Sequence, residues 1–232
     1  MATPKHLVLL PGLLCDSALW QHQIDDLKDF CDITVMDLTR DDSIPALAER
    51  VLDEAPSSFA LAGLSMGGYV AFEILRQAPE RVSRLALLDT TAAPDSPERA
   101  LQRRRSLAIL SRGRFLGVTQ QLLPTLVHPR HVHGPVGQAV QAMAQRVGPE
   151  AYRRQQTAIL HRPDSRPLLP TLTQPTLVLG GADDALTPPA VLQALAAPIP
   201  QAQWHTLPDC GHLPTLEQPE ATTALMRRWL MG

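Results

Sequence analysis

Three cysteines (Cys15, Cys31 and Cys210) in 232 residues are too few, and odd in number, for a disulfide framework. They suit a reducing compartment, so the expected location is the cytoplasm. No apolar run approaches the ~18 residues that cross a bilayer; LVLLPGLL is typical of what the chain offers. The opening MATPKHLVLLPG has one lysine and no small-residue cleavage site, and does not read as a secretory leader. Aromatic residues make up only 4%, with no basic–aromatic interleaving, RNP-like stretch or zinc-finger spacing, which argues against nucleic acid as a partner. Internal repeats and low-complexity tails are also missing. What remains is an ordinary globular composition, 44% hydrophobic and 19% charged, in a chain long enough to build a full core.

The net charge of -2 conceals a division. Residues 95–170 hold 12 arginines and four acids, or +8, which leaves -10 for the remainder. The middle of the chain is therefore compositionally distinct. On either side of it, short apolar runs alternate with helical periodicity. HLVLLPG, CDITVMDL, FALAGL, RLALLDT, PTLVLGG and the weaker QAQWHTLP read as strands. Between them helices are expected from Ser17 (as N-cap) to Phe30, from Ser43 to Ala55 with Pro45 in the first turn, and from Met66 to before Pro79. A last helix is expected over 217–230. This order predicts an α/β fold, a mostly parallel sheet of about six strands. A helical segment interrupts it after the strand ending near Asp89. The expected division is a core of 1–94 and 171–232 with a helical lid at 95–170.

Chemistry concentrates at Gly63-Leu64-Ser65-Met66-Gly67-Gly68, where an apolar strand meets a helix. A serine on so sharp a turn needs small neighbours two residues to either side, and glycines fill both positions. Serine is a weak nucleophile without a base, and the base needs an orienting acid. His212, in the loop after the last strand, is the best placed of eight histidines. The acid should leave a strand end between Ser65 and His212. Asp184 is preferred because G-x-x-D-x-x-T-P then starts at Gly181, with Asp183 and Asp89 as competitors. HPRHVH at 128–133 hints at metal ligation, but proline interrupts it and no acidic or cysteine cluster accompanies it in the sequence. No metal or cofactor is expected.

The elbow GLSMGG, the chain order Ser65, Asp184, His212 and the opening LLPGLL together resemble the α/β-hydrolase family. Within it the chain looks like the small bacterial carboxylesterases and, more distantly, the carrier-protein methyl esterases of biotin synthesis. Two departures are expected from the resemblance: the first strand read here corresponds to the family's third, with no strands read for the usual N-terminal hairpin, and Pro11-Gly12 stands where the family has His-Gly. The resemblance implies a serine esterase working through an acyl-enzyme. Its oxyanion hole would use the backbone N–H groups of Met66 and Leu13, with Leu14 as fallback. The expected partner is a small-molecule ester, with an anionic ester as the sharper form of that expectation. C–C bond, amide and peroxide chemistry on the same triad, or slow-turnover ligand binding, stay open at this point, as does the oligomeric state.

Overall fold

A computed structural model describes residues 5–232. Of the opening MATPKHLVLLPG, residues 1–4 lie outside the described residues. Six strands form one sheet: β1 (His6–Leu10), β2 (Asp32–Val35), β3 (Phe59–Leu64), β4 (Val82–Leu88), β5 (Thr176–Gly181) and β6 (Ala202–Leu207). Their spatial order is β2-β1-β3-β4-β5-β6, and every pairing is parallel. Such a sheet is covered on both faces, which is why its central strands carry apolar side chains continuously. Alternate residues feed opposite layers. Leu10, Leu61 and Leu87 face a cluster with α2 (Ile44–Glu54) and α3 (Met66–Gln77), while Leu9, Ala62 and Leu88 face the other layer, which includes residues of α1 (Gln21–Leu27) and the C-terminal helix.

Helix ends follow their capping residues. Ser43 caps α2 through the Ala46 amide at 3.3 Å, with proline in the first turn. Two boundaries differ from expectation. Asp16, not Ser17, caps the first helical stretch, which starts as a 3-10 turn over Ser17–Trp20 before becoming α1. The closing helix is divided: α7 (Pro214–Glu217) ends at Gln218 and α8 (Pro219–Met231) restarts at a proline. Between β4 and β5 the chain forms α4 (Pro97–Leu110) and α5 (Pro135–Leu160) before returning to the sheet. A bend at Gly148, where φ is 74°, breaks α5 ahead of Pro149. Among the described residues, no helix is long and apolar enough to cross a membrane.

Two features of the sheet gather the loops that matter. Its strand order reverses direction between β1 and β3, and the crevice at such a switch point lies outside the carboxyl ends of the strands. The register also sets neighbouring ends level, with Leu10 opposite Gly63, Leu64 opposite Leu88 and Gly181 opposite Leu207. Loops after β1, β3, β4, β5 and β6 therefore share one rim.

Helix α3 sits unusually close beneath that rim. A Cβ built on Gly67 would lie 2.2 Å from the Leu10 carbonyl oxygen, a backbone atom that cannot swing aside. Gly67→Ala should therefore cost about 3 kcal/mol and lower the melting temperature by roughly 10 °C. Thermal denaturation of the purified variant measures this; an unchanged melting temperature would contradict the contact.

Candidate active site

Ser65 occupies the turn between β3 and α3 with φ 53° and ψ -112°, a conformation rarely adopted by a side-chain-bearing residue. The turn is held from several sides. The Ser65 amide donates to Leu88 O at 2.9 Å, and its carbonyl accepts from the Gly68 amide at 3.0 Å and the Thr90 hydroxyl at 2.8 Å. Gly63 and Gly67 have no room for a side chain; a Cβ on Gly63 would stand 2.5 Å from Gly67 O. The strain is thus fixed by backbone packing, and the Ser65 hydroxyl is left clear of the sheet.

His212 Nε2 lies 2.9 Å from Ser65 Oγ, and its Nδ1 lies 2.7 Å from Asp184 Oδ2. Asp184 leaves the end of β5 and accepts from the Leu186 amide (2.7 Å), the Thr187 amide (3.1 Å) and the Thr187 hydroxyl. Burial works against its charge, but His212 and these hydrogen bonds prevail and hold its carboxyl well below the usual carboxylate range. Asp183 turns away: its side chain is exposed and its amide donates to Cys210 O at 2.9 Å.

Asp89 stands behind this relay. It is fully buried at the end of β4 with φ 41°, and its Oδ1 accepts from the Gly181 amide at 3.0 Å. Its Oδ2 has no other conventional partner, and its carboxyl comes within 4.8 Å of both Asp184 and His212. Burial first, and then the neighbouring Asp184 charge, push its pKa well above the ordinary value. Two adjacent buried carboxylates cannot both ionise. The Asp184 charge is the one favoured, by His212 and Thr187, while Asp89 holds its proton more tightly than a free aspartate.

A third buried acid, Glu217, was missed in reading the sequence. Its Oε2 accepts from the amides of Gly211 (3.0 Å) and His128 (2.7 Å), and its Oε1 accepts from Leu213 (3.0 Å). Both peptide neighbours of His212 are therefore fixed by one carboxylate, which also ties down the insert at His128. The only available signal was the lone acid in the stretch CGHLPTLEQP. Gln155 of α5 was also missed. It accepts from the Leu14 amide at 3.1 Å and donates to Leu38 O at 3.1 Å, so it fixes the loop after β1. This occupies the fallback oxyanion donor, Leu14. The Leu13 and Met66 amides, in contrast, have no acceptor among the described residues.

Among the described residues, two groups bring metal-type ligand atoms within 4.8 Å of one another. One is Asp89, Asp184 and His212, already joined in the relay. The other is His128, Asp183 and Asp209 at the surface, where the Arg130 guanidinium stands 3.7 Å from Asp209 and competes for that carboxylate. His131 and His133 do not join it. The cysteines are poor nucleophile candidates: all three are buried, and burial pushes the Cys15 thiol up to about 12 and raises Cys210 further.

A cavity of about 250 Å³ opens over Ser65 and His212. Its floor is apolar (Leu13, Leu64, Leu213), and the insert contributes its roof, including Val140, Tyr152 and Ile159. Phe115 packs against Tyr152 with ring centroids 5.6 Å apart.

The sequence profile described as "Alpha/beta hydrolase family" matches residues 7–225. The chain belongs to the α/β-hydrolase family. Among similar proteins, a pimeloyl-[acyl-carrier protein] methyl ester esterase of Nitrosomonas europaea is 29% identical, covering 92% of this chain and 91% of its own length. A thermophilic esterase from Thermogutta terrifontis, solved with malate bound, is 34% identical with a TM-score of 0.86, over 99% of this chain and 90% of that one. The enol-lactonase of Burkholderia xenovorans is 25% identical with a TM-score of 0.82, over 99% and 92%. The chain is an esterase-type α/β hydrolase.

Two outcomes follow for the buried acids. Asp89 binds its proton more tightly folded than unfolded, so its contribution to stability is full below the ordinary aspartate value of ~3.9 and is lost as pH rises above it. Asp89→Asn keeps an acceptor for Gly181 and a donor for Asp184 without a titrating proton. It should melt higher than wild type at pH 8, with the gain shrinking towards pH 4, while Asp89→Ala should lose about 1–3 kcal/mol by stranding the Gly181 amide. Melting curves at both pH values decide this; a lower melting point for the Asn variant at pH 8 would contradict a protonated Asp89. For Glu217→Gln, an amide NH₂ must face at least one backbone N–H. Its kcat should fall about tenfold through misplacement of His212, with a smaller change in KM, as steady-state kinetics would show.

Proposed function

We propose that the protein hydrolyses carboxylic esters through an acyl-enzyme formed on Ser65. The observation that carries this reading is the unbroken Ser65–His212–Asp184 relay at 2.9 and 2.7 Å. Ser65 Oγ attacks the ester carbonyl while His212 Nε2 takes its proton. Asp184 orients the ring and offsets the imidazolium charge. The carbonyl oxygen, now an anion, is received by the Leu13 and Met66 amides across the β1/β3 crevice, with the N-terminus of α3 adding favourable field. His212 then protonates the departing alkoxide. Water, deprotonated by the same imidazole, cleaves the acyl-Ser65 bond and releases the acid. Asp89 and Glu217 act through the relay by positioning it.

Residues 95–170 serve in this reading as the lid, over a core of 1–94 and 171–232. The lid supplies the cavity roof and thereby selects the ester. The named activities of two relatives, on a methyl ester and on an enol-lactone, support the bond class. Neither relative's substrate is carried over to this chain. No cofactor or metal takes part in the proposed cycle.

Ser65→Ala should lower turnover of an activated aryl ester by on the order of 10⁴-fold or more, with the fold and melting curve retained. A fluorophosphonate should label wild type at Ser65 alone. Near-wild-type turnover in the Ala variant, or stoichiometric label elsewhere, would refute the assignment.

A further inference from the structure

Helix α4 has an unusual polarity. Arg99, Gln102, Arg103 and Ser106, spaced i, i+3, i+4, i+7, form one stripe, and all four line the cavity above Ser65. A helix covering an apolar space ordinarily turns apolar residues inward. Here no residue of α4 is buried, and Leu101 and Ile109 are left 47% and 44% exposed. Departures of this kind from local pattern concentrate at functional sites.

The charges on the wall are one-sided. Two arginines line the cavity and no Asp or Glu does, among the described residues. Arg103 is paired with Asp95 at 2.6 Å and also donates to Gln156 at 2.7 Å; Asp95 in turn binds Arg162 at 2.8 Å, so this three-residue cluster keeps a net charge of +1. Among the described residues Arg99 makes no ion pair. The one hydrogen bond of its side chain goes from Nη2 to the Leu186 carbonyl, in the loop that carries Asp184, and its other side-chain donors have no acceptor there. Gln102 and Ser106 likewise have no side-chain partner among the described residues. A guanidinium fork beside an amide and a hydroxyl, with no competing acid, suits a carboxylate.

We infer that the α4 stripe is a carboxylate-binding subsite and that the preferred substrates are monoanionic half-esters of dicarboxylic acids. The ester end lies at Ser65 and the free carboxylate meets Arg99. Such a carboxylate is ionised at pH 7. An optimum in chain length follows, because the two ends must be reached at once. This inference rests on the esterase reading above and adds the substrate class to it. Arg104 and Arg105, the neighbours in the RRR run, do not line the cavity and contribute nothing to the subsite.

The test compares half-esters of graded chain length with their matched neutral diesters, in wild type, Arg99→Gln and Arg105→Gln. Both variants lose one positive charge from α4. Wild type should prefer the half-ester at one chain length. Arg99→Gln should reduce the half-ester to diester ratio of kcat/KM by about tenfold, chiefly through KM, and Arg105→Gln should leave that ratio as in wild type. An equal loss in both variants would replace a subsite by a general field, and an unchanged ratio in Arg99→Gln would overturn the proposal outright. Binding gives a readout independent of turnover: titration of saturated dicarboxylates into Ser65→Ala should show an affinity that the added Arg99→Gln change removes. If wild type cleaved no ester while that binding persisted, the esterase reading would fail and the subsite would stand. Absence of the binding would remove the subsite while leaving aryl-ester cleavage untouched.

Discussion

The carbonyl of Leu10 and the backbone of Gly67 are packed so closely that no side chain fits between them. That single contact sets the height of α3 against β1, and the height of α3 sets the elbow. With the helix start fixed, the chain between Leu64 and Met66 has one way round, through the left-handed conformation of Ser65. Thr90 at the end of β4 then holds the Ser65 carbonyl, so two neighbouring strands carry the strain of the turn. The same closeness brings the amide of Met66 opposite the loop after β1. The Ser65 hydroxyl thus stands at the helix start because the helix is packed without side chains in the way.

Behind the imidazole the structure stores three buried carboxyls, and each is made tolerable by a different device. Asp184 is charged, stabilised by a ring nitrogen and by the N–H groups of its own loop. Asp89 holds its proton more tightly than a free aspartate, through burial and the charge beside it. Glu217 has both oxygens bonded to backbone amides, three in all. They act on His212 from different directions: one on the ring, one on the acid that holds the ring, one on the peptide groups either side. Removing a titrating proton from such a cluster is less disruptive than removing an acceptor, since that strands buried amides without a partner.

The sheet, its strand count and the elbow were legible because each is written in contiguous residues: a buried parallel strand is a run of apolar residues, and the turn leaves glycines at fixed offsets. Asp184 was preferred over Asp183 from spacing alone; in the fold Asp183 is exposed and Asp184 buried. Asp89 was treated only as a rival acid, because sequence cannot show two carboxyls sharing a buried space. Glu217 and Gln155 escaped for a related reason. Their roles lie in backbone amides at positions 128, 211, 213 and 14, and nothing in a glutamate or glutamine codon-by-codon pattern announces which distant amide it will meet. The break at Gln218-Pro219 was also overlooked, although a proline at the third residue of the expected helix 217–230 is a restart signal.

The +8 of the insert illustrates how far a summed charge is from an electrostatic field. Arg146 is held by Asp16, Arg166 by Asp164, Arg153 by Glu150 and Arg162 by Asp95, each with the charge of its partner close enough to cancel most of its reach. Arg154 is spent on a backbone carbonyl, Thr39 O at 2.7 Å. The arginines of α5 therefore fasten the insert to the loops after β1 and β2 more than they colour its surface. On α4 the stripe that lines the cavity is Arg99, Gln102, Arg103 and Ser106, and its Arg99 guanidinium has no acid beside it above an apolar floor. Burying apolar area would favour leucine at those positions, so a polar stripe there is what a roof over a carboxylate, as proposed, requires.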